Sequence, residues 1–282
     1  MKAFLGMGLL GSNFVKAMLR KGDEVQVWNR TTAKAEALEA DGAKVFIDVA
    51  DAVKGVDIIH LTLKDDDTVN QVLEAASPGF KDGVTIIDHT TTSAKGAVER
   101  TAYWKSKGFV YLHAPVFMGP PNALESTGSM LVSGNQEAIK RLHPELSKMT
   151  GQVLNFGDEE GRAAAIKLAG NLFLISLTAG LSDTLALAKS LGVPSADVST
   201  LFESWNPGAG VPARLNKILA GDYSKPSWEL DMARKDADLM ISAADEKNIK
   251  LNLLPSVVAE MDKWIEKGHG GDDWSVIAKD NL

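Results

Sequence analysis

The sequence predicts an α/β fold, a doubly wound parallel sheet, followed by an all-helical C-terminal domain. Three observations lead to this prediction. Short apolar runs alternate with amphipathic helical patterns over the first half of the chain, as expected of strands joined by crossover helices. The glycine-rich stretch GMGLLG follows the first of these runs. After about Asp158 the alternation stops, and nearly all of the remaining chain has a helical pattern.

Eight apolar runs of the first half are predicted to be strands. Runs as continuously apolar as VDIIHLTL suit strands that are buried on both faces of a sheet. The patterns SNFVKAMLRKG, KAEALEADG and DTVNQVLEAA between the runs predict helices. The predicted strands are Lys2–Leu5, Glu24–Trp28, Lys44–Phe46, Asp57–Leu63, Val84–Asp88, Phe109–His113, Met130–Ser133 and Val153–Phe156.

The second half opens with a long predicted helix, at about 160–191, which links the two domains. Gly192 and Pro194 supply its end. Because the helix is apolar almost all round, we expect protein to enclose it on most sides, either between two domains or between two subunits. We expect a buried helix rather than a membrane span, since the stretch contains Lys167, Asn171, Asp183 and Lys189. Further helices are predicted at Ala196–Glu203, Pro212–Ala220, Trp228–Lys247 and Ser256–Lys267.

The composition of the 282-residue chain excludes several classes of function. The net charge of -7 and the lack of any Lys/Arg block argue against a nucleic-acid partner. The absence of cysteine excludes disulfides and thiolate metal sites. The five histidines show no ligand spacing, so no metal site is predicted. Without a signal peptide or a membrane span, a cytoplasmic protein is expected.

The glycine stretch has the spacing G-x-G-x-x-G, formed by Gly6, Gly8 and Gly11. In a dinucleotide-binding loop, the first glycine allows a tight turn and the second lets the backbone approach a pyrophosphate. The third lets the following helix pack close to the strand, and the helix N-terminus then faces the phosphates. The alternative is a glycine-rich turn without a ligand. The position between a strand and an amphipathic helix favours a Rossmann-type, dinucleotide-binding domain over residues 1–158, with an all-α domain over 159–282.

The end of the second strand predicts NADP (NADPH) as the cofactor. An NAD-binding fold places Asp or Glu there to bind the ribose hydroxyls, whereas this strand ends in Asn29, followed by Arg30 and Thr31. Arg30 offers a planar cation for a 2′-phosphate, and Thr31 offers a hydroxyl. Lys34 lies one turn further on. The alternative is that Arg30 is merely solvated and that Thr31 or Thr32 caps a helix.

Lys167 and Asn171 are the candidate catalytic residues. They are four residues apart on the long apolar helix and therefore share one face. Hydride transfer to a carbonyl leaves an alkoxide that needs a proton, and a lysine with a lowered pKa can exchange one. Alternatively, Lys167 extends its ammonium to the helix surface beside a hydrogen-bonded asparagine. Periodicity alone does not choose between these roles.

Several motifs together resemble the β-hydroxyacid dehydrogenases, the family typified by 3-hydroxyisobutyrate dehydrogenase. The opening GMGLLGSNFVKAMLRKGDEVQVWNRT is similar to the family's NADP-type motif, and LTLKDDDTV to its loop after the fourth strand. DHTTTSA resembles D-x-S-T-x-x-P, and GRAAAIKLAGN resembles the catalytic signature G-x-x-x-x-x-K-x-x-x-N. RKDADLMISAA is similar to the late K-D-x-x-L motif. The resemblance covers essentially the whole chain.

The resemblance implies roles for individual residues. Lys167 would be the general acid/base, and Asn171 would hold the ammonium or the substrate oxygen. Thr91 would contact the nicotinamide half of the cofactor, and Lys235 would lie close to the cofactor, although without the resemblance Lys235 is one charge of a solvated helix. The cofactor-binding set is Gly6, Met7, Gly8, Leu9, Leu10, Gly11, Asn29, Arg30, Thr31, Leu63, Lys64, Thr91 and Lys235.

The substrate loop departs from the family pattern. The family has D-A-P-V-S-G-G, whose small residues and amides receive a substrate carboxylate, whereas this chain has HAPVFMG. Phe117 and Met118 replace Ser and Gly, and only Gly119 is retained. Pro120 and Pro121 lack N–H groups. Stiff apolar segments of this kind resemble those of the imine reductases, which generally have Asp or Tyr at the position of Lys167. Phe117, Met118, Gly119 and Asn171 are the predicted substrate residues, although Phe117 and Met118 could instead pack in the core.

These inferences predict an NADP(H)-dependent oxidoreductase. It would transfer a hydride between the nicotinamide and a small 3-hydroxy acid, semialdehyde or keto acid, with Lys167 as the acid/base. The alternatives are an imine reductase on the same fold and a non-catalytic dinucleotide-binding module. The apolar stretch Ala163–Leu191 further predicts a homodimer, and the family resemblance implies the same.

Overall fold

A computed structural model describes all residues from Met1 to Leu282. The chain forms two compact units, residues Met1–Asn171 and Leu172–Leu282. The division falls within one long helix, Arg162–Ser190.

The first unit contains a six-stranded parallel sheet in the order β3-β2-β1-β4-β5-β6. Alternate residues of the central strand β1 enter different cores: Phe4 packs on one face, and Ala3 and Leu5 on the other. This two-sided burial explains the continuously apolar runs and confirms the predicted fold. The strands are β1 Lys2–Leu5, β2 Val25–Trp28, β3 Lys44–Val45, β4 Ile58–Leu61, β5 Thr85–Asp88 and β6 Val110–His113.

Seven α-helices lie wholly within this unit. The first follows the glycine stretch and buries Phe14, Val15 and Met18 against the sheet, as its periodicity predicts. Asp65 caps the fourth helix by accepting a hydrogen bond from the amide of Thr68 at 2.9 Å. The alternative interpretation, in which a threonine caps the second helix, is wrong, because Thr32 stands before this helix without a capping side-chain bond. The helices are α1 Leu9–Arg20, α2 Ala33–Glu36, α3 Val49–Ala52, α4 Asp66–Ala76, α5 Ala94–Ser106, α6 Pro120–Glu125 and α7 Gln136–Leu146.

The last two predicted strands do not join the parallel sheet. They form a separate three-stranded sheet with β7, Val116–Phe117, a strand that none of the predicted runs contains. β7 pairs antiparallel with β8, Ser129–Val132, and β8 pairs parallel with β9, Gln152–Asn155. This small sheet fixes the position of Phe117.

The remaining elements are helical. The second unit has its own core, in which Tyr223, Leu230, Met261, Trp264 and Val276 are buried. The helices are α8 Arg162–Ser190, α9 Ser195–Ser204, α10 Val211–Ala220, α11 Leu230–Asp245 and α12 Leu254–Glu266, followed by a 3-10 helix at Trp274–Asn281.

The helix α8 is not enclosed by this chain, so the expectation that protein encloses it is not met within a single copy and stays a prediction for two subunits. Its apolar side chains from Leu172 to Leu185 include seven with exposed fractions between 42% and 68%. By length and composition, Arg162–Ser190 would be able to cross a membrane, and 11% of its most apolar window is buried. Asp183 has its carboxylate fixed, because it accepts hydrogen bonds from the amides of Asn252, Leu253 and Leu254 at 2.8–3.1 Å.

Three histidines of the first unit are fully buried. Nδ1 of His89 lies 2.8 Å from the carbonyl oxygen of Ala114, and because a carbonyl only accepts, this nitrogen carries the proton. Nε2 of His89 then accepts from Nδ1 of His60 at 3.0 Å. His113 donates through Nε2 to the carbonyl of Thr90 at 2.9 Å. Nε2 of His60 and Nδ1 of His113 have no partner. Burial lowers the pKa of all three rings, that of His89 to about 4.

Candidate active site

An open cleft with a volume of about 580 Å³ lies along the carboxyl ends of β1, β2 and β4. Nine of the predicted cofactor-binding residues line it: Gly6, Gly8, Leu9, Leu10, Asn29, Arg30, Thr31, Leu63 and Lys64. The structure adds Trp28, Lys34, Thr62, Thr68, Gln71, Val72 and Pro120 to the lining. Most of the added residues come from the end of β2 and from α4, which sequence spacing alone does not bring to the loop.

The glycine loop has the geometry that its spacing predicts. Gly6 has a φ of +102°, which L side chains rarely adopt, and a β-carbon there would collide with the carbonyl oxygen of Thr62. A β-carbon on Gly11 would collide with the carbonyl oxygen of Gly6, so α1 packs directly on the loop. Gly8 faces open space. The loop therefore leaves room for a ligand next to the N-terminus of α1, whose first amides have no partner within the helix.

Asn29 holds the glycine loop against the end of β2. Its side-chain oxygen accepts a hydrogen bond from the amide of Met7 at 2.9 Å, and its side-chain nitrogen donates to the carbonyl of Thr31 at 2.8 Å. Met7 and Gly11 are buried beneath the loop rather than in the lining. These bonds give Asn29 a positioning role in the cleft.

The charge of the cleft has one sign. Arg30, Lys34 and Lys64 line it, and no acidic residue does. Arg30 and Thr31 are both exposed at the end of β2. A cleft with three cations and an open helix N-terminus is suited to a ligand that carries several phosphate charges.

The loop after β4 is held by a buried threonine. The hydroxyl oxygen of Thr90 accepts a hydrogen bond from the amide of Leu63 at 2.9 Å, which fixes Leu63 and Lys64 at the edge of the cleft. Thr91, predicted to contact the nicotinamide half, is exposed and lies outside the lining. Lys235 belongs to the second unit, on α11, where it is exposed and forms an ion pair with Asp236 at 2.9 Å.

Lys167 is 9% exposed on α8, and its ammonium lies 4.1 Å from the centroid of the Phe117 ring. Burial lowers the pKa of Lys167. The ammonium has neither a hydrogen bond nor an ion pair, and Asn171, which is half-buried, does not bond to it. The structure therefore contains a buried lysine with an aromatic neighbour and no counter-charge, a state that makes release of the lysine proton easier.

The substrate loop places Phe117 and Met118 in partly buried positions. Gly119 precedes α6, and its amide donates a hydrogen bond to the side-chain oxygen of Asn122 at 2.9 Å. Met118 packs against the core of the first unit, as the alternative interpretation of the sequence expected. Phe117 instead faces the candidate catalytic lysine.

The parallel sheet, the glycine loop and the basic cleft at the carboxyl ends of its strands define a dinucleotide-binding protein. Residues 2–157 match the family model described as the NAD binding domain of 6-phosphogluconate dehydrogenase. The chain belongs to this family. Residues 159–281 match the model of an NADPH-dependent reductive aminase-like C-terminal domain.

Relatives and solved structures agree with this assignment. The chain is 26% identical to 3-sulfolactaldehyde reductase of Escherichia coli, over 98% of this chain and 93% of the relative. It is 27% identical to a Mycobacterium bovis protein described as "Probable 3-hydroxyisobutyrate dehydrogenase", over 86% and 84% of the two chains. The fold matches that of an imine reductase from Myxococcus stipitatus in complex with NADP+, with a TM-score of 0.93, 24% identity and 99% of each chain covered.

These comparisons confirm the resemblance to the β-hydroxyacid dehydrogenases and imine reductases as well as the two-part fold. The chain is an NAD(P)-dependent oxidoreductase of the family whose model residues 2–157 match.

Proposed function

We propose that the protein is an NADP(H)-dependent reductase in which Lys167 exchanges a proton with the reacting group of the substrate. The observation that carries this proposal is the buried ammonium of Lys167, which has no carboxylate to hold its proton. A buried lysine is costly without a partner or a task. Its place on α8 within the family's catalytic signature supplies the task.

The residues of the chain divide the chemistry between them. The dinucleotide, when bound, supplies a hydride to the substrate carbon. The electron pair of the C=O bond then moves to oxygen, and the Lys167 ammonium gives this oxygen its proton. In the oxidation direction, neutral Lys167 accepts the hydroxyl proton. Asn171, one turn further along α8, orients the substrate oxygen.

We expect a small carbonyl compound as the substrate of reduction and the corresponding alcohol as the substrate of oxidation. The family resemblance implies semialdehydes and keto acids for the first and 3-hydroxy acids for the second. The proposal is tested by following NADPH absorbance over a panel of such compounds. If protein that binds NADPH turned over neither these compounds nor uncharged aldehydes nor cyclic imines, a non-catalytic dinucleotide-binding module would be the better description.

An imine reductase is the second candidate, favoured by the apolar loop. Phe117 and Met118 stand where the hydroxyacid branch has Ser and Gly, and the C-terminal domain matches a reductive aminase-like model. Protonated Lys167 would then activate the C=N nitrogen. Turnover of cyclic imines at rates well above those of semialdehydes would select this function.

The proposed preference for NADPH depends on Arg30. Replacing Arg30 with Asp removes a cation at the end of β2 and introduces repulsion of a 2′-phosphate. A charged hydrogen bond contributes about 1.5–3 kcal/mol, so the NADPH/NADH ratio of kcat/KM should fall by about tenfold or more. Lys95→Asp makes the same charge change outside the cleft, on an exposed side chain, and should leave the ratio intact. An unchanged ratio in Arg30→Asp would disprove the assignment.

We also propose that α8 is covered by a second copy of this chain. Its exposed apolar residues lie all round the helix, and a two-fold axis would place the same apolar face of each copy against the other. A membrane is the less suitable occupant, because Asp183 within the apolar stretch accepts three backbone hydrogen bonds from the start of α12.

Light scattering should give twice the chain mass of 30.2 kDa at micromolar concentration. Ile175→Glu, at a position that is 68% exposed, should shift the protein to monomer, whereas Ile47→Glu, 84% exposed outside α8, should not. A monomeric wild type, or co-sedimentation with phosphatidylcholine vesicles, would contradict the proposal.

A further inference from the structure

The position of Phe117 beside Lys167 is fixed by its strand and by its ring. Its strand β7 pairs with β8, with Phe117 opposite Ser129. The ring fills a notch on α8 at Gly170, where a β-carbon would collide with it. Gly170 comes three residues after Lys167, so both lie on the side of the helix that faces the ring. The ring therefore contacts the helix backbone at Gly170 and the ammonium at Lys167.

The ring occupies the place of a counter-charge. The ammonium of Lys167 lies 4.1 Å from the ring centroid, within the range of a cation–π contact. Such a contact stabilises the cation without supplying a negative charge. It also leaves the donors of Lys167 free for the reacting oxygen or nitrogen of a substrate.

The neighbouring loop offers few donors to an anion. The amide of Gly119 is used by the side chain of Asn122, whose nitrogen in turn donates to Thr127 at 3.0 Å. Pro120 and Pro121 have no N–H. A carboxylate brought against Phe117 would lose water, and the one cation it would meet is the Lys167 ammonium. An ion pair there would occupy the donors that the proposed mechanism assigns to the reacting oxygen or nitrogen, so such a substrate would be bound without its reacting group at Lys167.

We infer that Phe117 determines substrate specificity: its ring restricts the site to uncharged C=O or C=N compounds and excludes those with a carboxylate near the reacting carbon. This inference rests on the proposed role of Lys167. It departs from the substrates that the family resemblance implies: semialdehydes and keto acids carry a carboxylate and would be poor substrates, which leaves uncharged aldehydes, ketones and imines.

The test compares 4-methylpentanal with succinic semialdehyde, which differ in an isopropyl group against a carboxylate. The wild type should favour 4-methylpentanal in kcat/KM. Phe117→Ser opens the space and adds a donor, so its kcat/KM for succinic semialdehyde should rise about tenfold or more. Phe117→Leu, which keeps the space apolar, should show no rise. Thermal melting and NADPH titration verify that each variant is folded and binds cofactor.

Two further readouts separate specificity from a general change in packing. Calorimetric titration of succinate into the NADP+-loaded protein should show binding to Phe117→Ser and none to the wild type. In pH profiles of 4-methylpentanal reduction, the pH at which the rate falls should be highest in Phe117→Ser, because water reaches the Lys167 ammonium. This pH should be lowest in Phe117→Leu, because the leucine buries the ammonium without offering it a ring face.

The outcomes distinguish failure of the specificity inference from failure of the proposed function. If the wild type reduces succinic semialdehyde with the same kcat/KM as 4-methylpentanal, the specificity role of Phe117 is overturned, but the proposed function is not. The same follows from a Phe117→Ser variant that gains neither turnover of the semialdehyde nor affinity for succinate. Protein that binds NADPH but reduces neither aldehyde nor a cyclic imine overturns the proposed function, and the inference with it.

Discussion

Replacing Lys167 with alanine should lower kcat for reduction by about 10²- to 10⁴-fold, the usual contribution of a positioned general acid. The affinity for NADPH should stay within about twofold of the wild type, because Lys167 is not part of the cleft lining. Stopped-flow turnover and fluorescence titration of NADPH measure the two quantities. Lys189→Ala removes an exposed lysine near the end of the same helix and should retain full activity.

Two observations would distinguish proton transfer from a structural role of Lys167. A small primary amine such as ethylamine should restore part of the activity of Lys167→Ala, since it can enter the space left by the side chain and donate the proton. In the wild type, reduction needs the protonated ammonium, whose pKa burial lowers. The reduction rate should therefore fall as pH rises through this lowered pKa, while oxidation shows the opposite trend. Full activity in Lys167→Ala would refute the role.

The elements of the fold were predictable because each leaves a local signal. The run VDIIHLTL predicts a strand buried on both faces, and β4 at Ile58–Leu61 is one. The position of α1 follows from the glycine spacing, since Gly6 and Gly11 touch where a side chain would collide. The separate sheet was not predictable, because the pairing of β7 with β8 depends on contacts between distant segments.

The candidate site, too, could be predicted only where the local sequence carries a signal. Arg30 and Thr31 could be assigned to the cleft from their place after β2, where ligands bind in such sheets. The contact between Phe117 and Lys167 joins residues on a short strand and a helix, and no spacing rule connects them. The apolar sequence of α8 left two covers open, another domain or another subunit, because such a sequence indicates that a surface is covered but does not identify the chain that covers it.

Acidification should destabilise the first unit through its three buried histidines, His60, His89 and His113. In the unfolded chain an imidazole has a pKa of about 6.5, whereas burial lowers all three in the folded state, that of His89 to about 4. Below pH 6.5 the unfolded chain therefore binds protons that the folded chain does not. The free energy of unfolding falls by about 1.4 kcal/mol per pH unit for each such histidine. The loss from a given ring ends once pH falls below its folded pKa.

Urea unfolding followed by circular dichroism between pH 7.5 and 5 measures this slope. His89 alone should account for about 2 kcal/mol over that range. The charged groups near these rings, Asp88 and Arg100 beside His113 and Lys2 on the side of His60, remain in every variant. His60→Leu should reduce the slope by about one proton, even if the variant is less stable at every pH. His143→Leu removes an exposed imidazole from α7 and serves as the control. Equal slopes in the wild type and His60→Leu would contradict this prediction. They would mean that a proton reaches the unpaired Nε2 of His60 as easily in the folded state as in the unfolded chain, so that protonation of His60 does not oppose folding.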